Sequence, residues 1–573
     1  MTDGITGGQL RAMSYEELES LCEELRRNII ESVMANGGHL SSNLGMVELT
    51  VALHYVFDFP RDKVVFDVGH QCYAHKMLSG RAAGFAKLRK RGGVSGFPKR
   101  EESAYDCYNT GHAGTSVSAA MGIAKARDLS GKDYSVIAVI GDGSFNNGLV
   151  YEAFNSLRQL NTNILVIIND NGMSISPTVG SMHEYLEQLA TDSVEQLHRA
   201  RRADIFEKFG FDYDGVYDGN DLRAMIERLT DIKGRLKTQS VILHILTKKG
   251  KGYSFCEENP EATHGIGAKP ALEYSEVLGR QLCAMAENDG RITAVTAAMT
   301  GSLGLSEFFE RYPGRAFDVG ICEEHATVLC AALAAEGYKP YYAVYSTFLQ
   351  RSFDEIVIDV CSQNLPVTFC IDRAGISGAD GETHQGVFDL SFLSFIPNLT
   401  IAVPKDSAEF AEMLRFSATF GGPLAIRYPR SCGHKFGPVQ PVVAGKWELL
   451  DSGDGRCVIL ACGERAIARA AGACRLLGER GVVPSLVNAR FVKPLDEELL
   501  AGLEEPLVVT VEDNMLAGGF GSLVAERFAE DTSKRVKIFG YGDKFIGQGG
   551  IDELMDDCGL SPEAIAAYIE KNI

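Results

Sequence analysis

The chain has 573 residues, 45% of them hydrophobic, which is enough for three or four globular domains of roughly 150 residues each. Its 56 basic and 76 acidic residues give a net charge of −20, which argues against nucleic acids and anionic membranes as partners. The fourteen cysteines show no metal-ligand spacing, and neither a signal peptide nor a membrane-spanning apolar run is present, so we expect a soluble protein of the reducing cytoplasm.

The N-terminal part combines one long helix with three glycine-rich loops that contain histidine. The helix is predicted over residues 14–36, with a capping box formed by Ser14 and Glu17. The loops are Asn36–Gly45 with His39, Phe66–Lys76 with His70, and Thr110–Ser116 with His112. A lone histidine is usually structural. Three beside glycines favour a ligand-lining role, because neutral imidazole can hydrogen-bond a phosphate or a reacting oxygen.

A βαβ unit follows, and the chain is organised around it. An apolar strand is predicted over Tyr134–Ile140, then an amphipathic helix, then a second apolar strand over Asn163–Ile168. A right-handed crossover makes two such strands parallel, so both end at the same edge of the sheet. Asp142 follows the first strand and Asn171 follows the second, and open α/β sheets bind ligands at this edge.

The polar residues at this edge predict a magnesium and diphosphate site. A carboxylate and an amide oxygen suit a hard cation that keeps phosphate oxygens as further ligands. The glycines beside Asp142 let the backbone approach a diphosphate, and the next helix offers its N-terminal N–H groups. Gly-Asp-Gly alone is also typical of a plain turn. Paired with Asn-Asp-Asn after the next strand, the stretch Gly141–Asn171 resembles the thiamine diphosphate motif, which begins with Gly-Asp-Gly and ends in Asn.

Residues 181–236 are charged and predicted to be helical, and a strand is predicted over Ser240–Leu246. The turn Lys248–Tyr253 has two interpretations of equal weight, a solvated basic turn and a lid over an anionic cofactor. His264 and the stretch Gly265–Pro270 indicate a linker.

A second α/β unit is predicted from about residue 270. Its strands are expected at Ile292–Thr296, Ala316–Ile321, Tyr341–Tyr345, Val367–Ile371 and Leu399–Val403. Glu323 stands at the start of a helix, a position where an acid commonly just complements the helix dipole. Several polar side chains follow strands, at the ligand-binding edge: Tyr345, Arg351, Arg373, Asp380, His384 and Arg430. Three arginines after separate strands favour a bound anion such as a sugar phosphate.

A third α/β unit is predicted from about residue 433, with strands at Cys457–Leu460, Val483–Val487 and Leu507–Val511. It shows no separate catalytic constellation. We expect it to buttress the rest of the chain and to make dimer contacts.

Ordered segments along the whole chain resemble the 1-deoxy-D-xylulose-5-phosphate synthase family, a relative of transketolase. They are Asp67–Gln71, Gly96–Arg100, Gly141–Gly143, Asn169–Pro177, Thr247–Tyr253, Tyr345–Arg351, Ile371–Gly375 and Asp380–His384. The resemblance implies a homodimer of three consecutive parallel-sheet α/β domains, over residues 1–268 (diphosphate and Mg²⁺ binding), 269–432 (pyrimidine binding) and 433–573 (transketolase C-terminal). It also implies that pyruvate is decarboxylated and condensed with glyceraldehyde 3-phosphate to 1-deoxy-D-xylulose 5-phosphate, the first step of non-mevalonate isoprenoid synthesis, which also feeds thiamine and pyridoxal synthesis.

The same resemblance implies the roles of individual residues. Mg²⁺ would be held by Asp142, Asn171 and the carbonyl of Met173. Thiamine diphosphate would be lined by His70, Gly111, His112, Ala113, Gly143, Ser144, Asn171 and Tyr253, with Glu323 on its aminopyrimidine ring. Proton transfers and substrate oxygens would fall to His39, His264, Asp380 and His384. Pyruvate or the acceptor phosphate would be bound by Tyr345, Arg351, Arg373, Arg430 and Arg89.

The chain departs from the family pattern at four places. Ala113-Gly114 replaces two serines, Ser144–Gly148 replaces smaller residues, and the regions 179–206 and 264–274 are shorter than usual. Three rival functions stay open: ketol transfer between sugar phosphates as in transketolase, a 2-oxoacid dehydrogenase component, and a cofactor-binding regulatory protein without turnover.

Overall fold

The computed structural model describes residues 4–174, 178–191, 204–267 and 272–573. The chain forms two compact units, Met1–Ala268 with Gly320–Cys322, and Lys269–Val319 with Glu323–Ile573. In the described residues the first unit contains one β-sheet and the second contains two. The predicted boundary between residues 268 and 269 lies outside the described residues, and the division into three domains stays a prediction.

The sheet of the first unit has five parallel strands in the order β1-β2-β3-β5-β4. They are β1 Lys63–Phe66, β2 Val136–Gly141, β3 Leu165–Asp170, β4 Phe211–Asp218 and β5 Ser240–Leu246. Helix Gly148–Leu160 crosses between β2 and β3, which confirms the predicted βαβ unit. The prediction that residues 181–236 are helical was wrong at β4. Its sequence alternates apolar and polar residues, and it pairs on one side only, so it is a half-buried edge strand.

The predicted helix over residues 14–36 is present as Tyr15–Asn36. Ser14 Oγ accepts a hydrogen bond of 3.2 Å from the Glu17 amide, and the Glu17 carboxylate accepts one of 2.7 Å from the Ser14 amide, which is the expected capping box. The other α-helices described in the first unit are Gly7–Arg11, Ser41–Leu44, Val47–Val56, Tyr73–Lys76, Ser116–Leu129, Asp142–Phe145, Gly148–Leu160, Ser181–Thr191, Asp204–Phe209, Leu222–Arg235 and Ser254–Glu258.

The second unit begins with a seven-stranded sheet in the order β15-β10-β11-β9-β8-β6-β7. Its strands are β6 Ile292–Thr296, β7 Ala316–Asp318, β8 Lys339–Tyr345, β9 Thr368–Asp372, β10 Thr400–Ala402, β11 Leu424–Arg427 and β15 Phe491–Lys493. All pairs are parallel except β10 with β15. The parallel strands end at a common edge, where Tyr345 and Asp372 close β8 and β9.

The other sheet of this unit has five strands in the order β12-β14-β13-β16-β17. They are β12 Glu448–Asp451, β13 Cys457–Cys462, β14 Ser485–Asn488, β16 Leu507–Met515 and β17 Arg535–Tyr541, and only β12 is antiparallel to its neighbour. The central strands are buried on both faces, as expected of parallel sheets covered by helices. The predicted α/β fold class is therefore confirmed.

Helices cover both sheets of the second unit. Its described α-helices are Tyr274–Ala286, Ser306–Arg311, Glu323–Ala335, Ser346–Leu349, Phe353–Glu355, Asp389–Ser394, Ser407–Ser417, Glu464–Gly478, Glu497–Ala501, Phe520–Arg527, Ile551–Asp557 and Pro562–Asn572. Shorter or irregular helical turns in the two units lie at Met77–Arg81, Ala82–Lys87, Pro313–Arg315, Gln350–Ser352, Ile356–Cys361 and Gly381–Thr383. Across the described part of the chain, none of these helices is long and apolar enough to cross a membrane.

Candidate active site

Asp142 lies at the carboxyl end of β2, where the chain turns into helix Asp142–Phe145. Its side chain is 2% exposed, and Oδ2 accepts a hydrogen bond of 2.6 Å from the Thr178 hydroxyl. Burial, together with the negative charge of Asp170, raises the pKa of the Asp142 carboxyl to about 7. A buried carboxylate beside a second acid is a place where a bound cation would be strongly favoured.

Asn171 and Met173 lie in the loop that follows β3. The Asn171 amide is 3.5 Å from Asp142 Oδ1, so the two predicted ligands are neighbours. Asn171 Oδ1 is buried and accepts no hydrogen bond within the described part of the chain. The loop is held by Gly172, whose amide donates to Asp170 Oδ1 at 3.0 Å. A buried carboxylate and an unsatisfied amide oxygen fit the donor set that Mg²⁺ requires.

The Asp170 side chain is held by a hydrogen bond to a buried histidine. His244 Nε2 lies 3.2 Å from Asp170 Oδ2, and the Tyr213 hydroxyl lies 2.8 Å from His244 Nδ1. The three side chains stand on β3, β5 and β4, so neighbouring strands set their spacing. This chain of hydrogen bonds orients the acid that in turn holds the Asn171 loop.

Lys249 is a candidate site residue that the sequence interpretation did not single out. It is buried and donates to the Ser174 carbonyl, and burial lowers its pKa to about 8 while Asp142 opposes that shift. A Cβ at Gly143 would lie 2.7 Å from the Ser174 Cβ, so only glycine fits there. The basic turn that contains Lys249 was the available signal, and the structure separates its members: Lys248 is exposed and pairs with Glu257.

The loop Gly111–Ser116, which carries His112 and Ala113, is anchored on Asp67 after β1. The buried Asp67 carboxylate accepts hydrogen bonds from the amides of Gly114 at 2.8 Å and Ser116 at 3.0 Å. The Ser144 side chain also hydrogen-bonds this carboxylate. Asp67 therefore connects the predicted cofactor loop to the residues that follow β2.

The structure relates two of the departures from the family pattern. Gly114 has φ of +84°, and a Cβ there would lie 2.4 Å from Asn147 Oδ1. Asn147 is buried, and its Oδ1 accepts a hydrogen bond of 3.1 Å from the Leu149 amide at the start of helix Gly148–Leu160. The Asn147 side chain thus occupies space that any side chain at position 114 would need.

Three predicted histidines form one cluster in the first unit. The ring centroids of His39 and His70 are 5.4 Å apart, those of His39 and His264 are 5.6 Å apart, and those of His70 and His264 are 5.2 Å apart. The residues alone had grouped the first two with His112 and indicated a linker at His264, whereas the family resemblance had already given His264 and His39 a common role. In the structure His264 joins the cluster, because Ile266 pairs with Gly38 through two backbone hydrogen bonds of 2.8 and 2.7 Å.

Backbone contacts fix the cluster, and its environment keeps at least one ring neutral. Asn43 Nδ2 donates to the carbonyls of His39 and His70, both at 2.7 Å. Burial, the Lys249 charge and the other two histidines hold the pKa of His264 well below its usual value. A neutral imidazole has one nitrogen that donates and one that accepts, so it can hydrogen-bond a bound oxygen or hydroxyl at neutral pH.

Arg89 and Tyr253 are also found in the first unit. Arg89 has φ of +60°, and its Cγ lies 3.2 Å from the position of a Cβ at Gly96. Arg89 Nη1 lies 3.7 Å from the Cβ position of Gly37, near the histidine cluster. Tyr253 precedes helix Ser254–Glu258 and packs against the apolar core of the unit.

Glu323 is the predicted catalytic acid of the second unit and the first residue of helix Glu323–Ala335. It is 3% exposed, and burial raises the pKa of its carboxyl to about 7, against the opposing charge of Arg351. Its Oε2 lies 3.8 Å from Arg351 Nη1 and makes no hydrogen bond within the described residues. A buried acid that titrates near neutral pH is suited to holding or exchanging a proton.

The second unit brings three predicted site residues into one group with Phe348: Tyr345, His384 and Arg373. The Tyr345 and Phe348 rings stack with centroids 5.5 Å apart, and His384 meets Phe348 edge-on at 5.7 Å. The Arg373 guanidinium lies 4.3 Å above the Tyr345 ring and pairs with Asp372 at 2.9 Å. Aromatic faces and a held guanidinium make a surface suited to a small anionic substrate.

Asp380 lies four residues before His384 in the chain, and Arg430 follows β11. Asp380 begins the turn Gly381–Thr383, and the Thr383 hydroxyl lies 2.9 Å from His384 Nδ1. Arg430 pairs with Glu273 at 2.9 Å. The predicted convergence of Arg351, Arg373 and Arg430 on one anion stays a prediction, since each faces a different carboxylate.

Family models and named relatives match most of the chain. Family models match for 1-deoxy-D-xylulose-5-phosphate synthase at residues 5–204 and 192–247, the pyrimidine binding domain of transketolase at 270–434, and the transketolase C-terminal domain at 445–565. A 1-deoxy-D-xylulose-5-phosphate synthase from Desulforudis audaxviator is 45% identical over 100% of this chain and 97% of its own length. One from Clostridium tetani is 43% identical over 98% of each. A solved transketolase from Campylobacter jejuni is 19% identical, with a TM-score of 0.46, over 98% of this chain and 100% of that one.

Proposed function

Because the chain belongs to the 1-deoxy-D-xylulose-5-phosphate synthase family, we propose that it condenses pyruvate with glyceraldehyde 3-phosphate, giving 1-deoxy-D-xylulose 5-phosphate and CO₂. It is a thiamine diphosphate-dependent enzyme of the transketolase type, and we propose Mg²⁺ as the metal. The observation that carries the metal proposal is the buried Asp142 carboxylate beside the unsatisfied Asn171 Oδ1.

In this proposal the first unit holds the diphosphate end of the cofactor. Asp142, Asn171 and the Met173 carbonyl are the protein ligands of Mg²⁺. The cofactor contacts are made by His70, Gly111, His112, Ala113, Gly143, Ser144 and Tyr253, to which we add Lys249 because its buried ammonium is next to Asp142. When bound, the cofactor supplies the electron sink that the loss of CO₂ from pyruvate requires.

Glu323 holds a proton for the pyrimidine end of the cofactor. Its carboxyl has a pKa of about 7, because burial disfavours the ionised form. At neutral pH both protonation states are therefore accessible, and Oε2 can donate to or accept from a ring nitrogen.

The proposed substrate residues have two roles, proton transfer and anion binding. His39, His264, Asp380 and His384 move protons to and from substrate oxygens. The carboxylate of pyruvate and the phosphate of the acceptor are bound by Arg89, Tyr345, Arg351, Arg373 and Arg430. The support for the second group is the held guanidinium of Arg373 on the Tyr345 ring, a geometry suited to planar or tetrahedral anions.

The enzyme is proposed to be a cytoplasmic homodimer of three-domain chains. Four exposed apolar side chains lie close together in the second unit. Val328, Phe353 and Ile358 stand on neighbouring helical segments, and the ring of Phe395 contacts that of Phe353. Such a patch favours contact with a second copy. All fourteen cysteines are free, which agrees with a reducing compartment. Light scattering of the purified protein tests the dimer, and Ile358→Lys should shift it toward monomer.

A direct assay separates this function from its rivals. Purified protein receives thiamine diphosphate, Mg²⁺ and carboxyl-labelled pyruvate, with and without glyceraldehyde 3-phosphate. Label released as CO₂ in an acceptor-stimulated reaction, with a deoxyxylulose phosphate product, supports the proposal. Transfer from a ketose phosphate without CO₂ would support transketolase chemistry instead, and cofactor binding without either reaction would support a regulatory protein.

The two lysines of the basic turn provide a matched pair for the cofactor site. Lys249→Ala should weaken thiamine diphosphate binding by roughly tenfold or more, because a buried charge near the diphosphate is lost. Lys248→Ala removes an exposed ammonium from the same turn and should leave that affinity unchanged. Equal effects of the two variants would favour the interpretation of the turn as solvated.

A further inference from the structure

The segment from Arg373 to Gly386 carries two of the proposed catalytic residues, Asp380 and His384. It leaves the sheet after β9 and returns to its own start. The Gly375 amide donates to the Gly386 carbonyl at 2.7 Å, and the Gly386 amide donates to the Gly375 carbonyl at 2.8 Å. These two bonds close the segment into a loop with a narrow neck, here called the substrate loop. The position of its catalytic side chains therefore depends on what holds the neck.

Asp513, on strand β16, holds that neck. It is buried, and its Oδ1 accepts a hydrogen bond of 3.0 Å from the Ile376 amide, 137 residues away in the chain. Gly375 has φ of +76°, and a Cβ there would lie 1.9 Å from Asp513 Oδ2. The carboxylate consequently rests directly against the bare Cα of Gly375, and no other residue fits at that position.

Two more side chains of the C-terminal region complete the contact. The Tyr541 hydroxyl donates to Asp513 Oδ1, and Arg465 Nη1 lies 3.2 Å from Asp513 Oδ2. The same Arg465 nitrogen donates to the Ile376 carbonyl at 2.6 Å. The N–H of Ile376 is thus held by Asp513 and its C=O by Arg465, so the peptide groups on both sides of this residue are fixed.

A second contact lies on the far side of the neck. Gln385 Oε1 accepts hydrogen bonds from the amides of Ser377 at 2.6 Å and Gly378 at 3.1 Å. Its Nε2 donates to the Gly547 carbonyl at 3.1 Å, in the stretch that follows β17. Gln385 directly follows His384, so this bond holds the backbone beside the catalytic side chain.

We propose that Asp513 is a positioning residue for the substrate loop, and that the C-terminal region thereby takes part in substrate binding. The inference rests on the proposed function for the roles of Asp380 and His384. Asp513, Arg465 and Tyr541 act on the loop backbone. They set where the catalytic side chains stand without touching substrate themselves. A catalytic group displaced by about 1 Å can cost up to roughly a hundredfold in rate, so the fixed neck matters for turnover.

The test compares Asp513→Asn with a matched buried acid in the same unit. The control is Glu409→Gln, whose carboxylate accepts from the Lys405 amide at 2.7 Å and from Asn488 Nδ2 at 3.1 Å. Asp513→Asn should lower kcat/KM roughly tenfold or more, increase hydrogen exchange at the amides of residues 376–378, and leave thiamine diphosphate affinity within about twofold. Glu409→Gln should change none of these three readouts, although it is expected to lower the unfolding midpoint.

Each outcome decides between the alternatives. Unchanged exchange at residues 376–378, or a kcat/KM no lower than that of the control, would overturn the positioning role. If Asp513→Asn fails to fold, Tyr541→Phe removes a single hydroxyl from the same contact and should give the same exchange pattern with a smaller kinetic loss. Exchange is measured without substrate. It therefore reports on the loop even if the wild type does not condense pyruvate with glyceraldehyde 3-phosphate, a failure that would refute the proposed function alone.

Discussion

The buried acid Glu323 leads to a prediction that links activity to stability. Its pKa is raised from the usual 4.5 to about 7, because the protein interior disfavours the ionised form. The protonated form is thus the one that the fold favours. Its contribution to stability is complete below pH 4.5, declines as the pH rises, and is lost above pH 7. Replacing Glu323 with the neutral isostere Gln should remove this pH-dependent loss.

The expected size follows from the shift in pKa. A pKa shift from 4.5 to about 7, at about 1.4 kcal/mol per unit, means that ionised Glu323 destabilises the wild type by at most about 3 kcal/mol at pH 8.5. At pH 5 the same relation gives only about 1 kcal/mol, because the ionised fraction in the unfolded chain is the sole contribution. The stability advantage of Glu323→Gln over the wild type should therefore be about 2 kcal/mol larger at pH 8.5 than at pH 5.

The assay is urea unfolding of the cofactor-free protein at the two pH values, with Glu324→Gln as the control. Glu324 is the neighbouring acid on the same helix. The same Glu323→Gln protein should have lost turnover, since a carboxamide cannot give up or take on the proton that the carboxyl exchanges near neutral pH. A stability difference that is equal at pH 5 and pH 8.5, or a variant less stable than the wild type at pH 8.5, would refute the assignment of Glu323 as a buried acid whose ionised form the fold disfavours.

Three further substitutions test the first unit. Asp142→Ala should weaken Mg²⁺ binding by roughly a hundredfold or more, measured by calorimetry with thiamine diphosphate present, and an unchanged affinity would exclude Asp142 as a ligand. His244→Asn should weaken the same binding by roughly tenfold, because Asp170 loses the partner that orients it, while the far-ultraviolet circular dichroism stays unchanged. Gly114→Ala should destabilise the protein by about 1–3 kcal/mol, because φ is +84° and the new Cβ would meet Asn147, whereas Gly122→Ala, in open space on helix Ser116–Leu129, should not be destabilising.

Continuous apolar runs made the inner strands predictable from the sequence. The observed bounds of β5 and β6 coincide with the predicted Ser240–Leu246 and Ile292–Thr296, since both are short apolar runs between polar turns. The edge strand β4 was missed because the charged segment around it was interpreted as helical, although its alternation of apolar and polar residues was an available signal. Strand β15 was missed because its three residues carry too little signal. A strand as short as β15 cannot be recognised before its pairing partner is known.

The same distinction applies to the candidate site. Asp142 and Asn171 were predictable because they follow consecutive strands of one βαβ unit, and topology alone places such residues together. The contact of His264 with His39 could not be derived from the residues alone, because it depends on the pairing of Ile266 with Gly38 across more than 200 residues; only the family resemblance gave the two histidines a common role. Asp513 could not be given a role from the sequence, since its contact with the substrate loop exists only once β16 and the loop after β9 are packed together.

Both units place a buried carboxylate where its ionised form costs free energy, Asp142 in the first and Glu323 in the second. A neutral isostere at either buried position would give a more stable protein, so stability alone does not explain these two acids. A ligand changes that balance, because a divalent cation beside Asp142 or a proton-exchanging ring beside Glu323 offsets the cost of burial. Ligands that bind only the folded state stabilise it by about 2.7 kcal/mol at a hundred times their Kd. Mg²⁺ with thiamine diphosphate should therefore raise the unfolding midpoint of the wild type, and by clearly less in Asp142→Ala. Because the acids that destabilise the empty protein are those that the bound groups require, stability and function are coupled at the same two side chains.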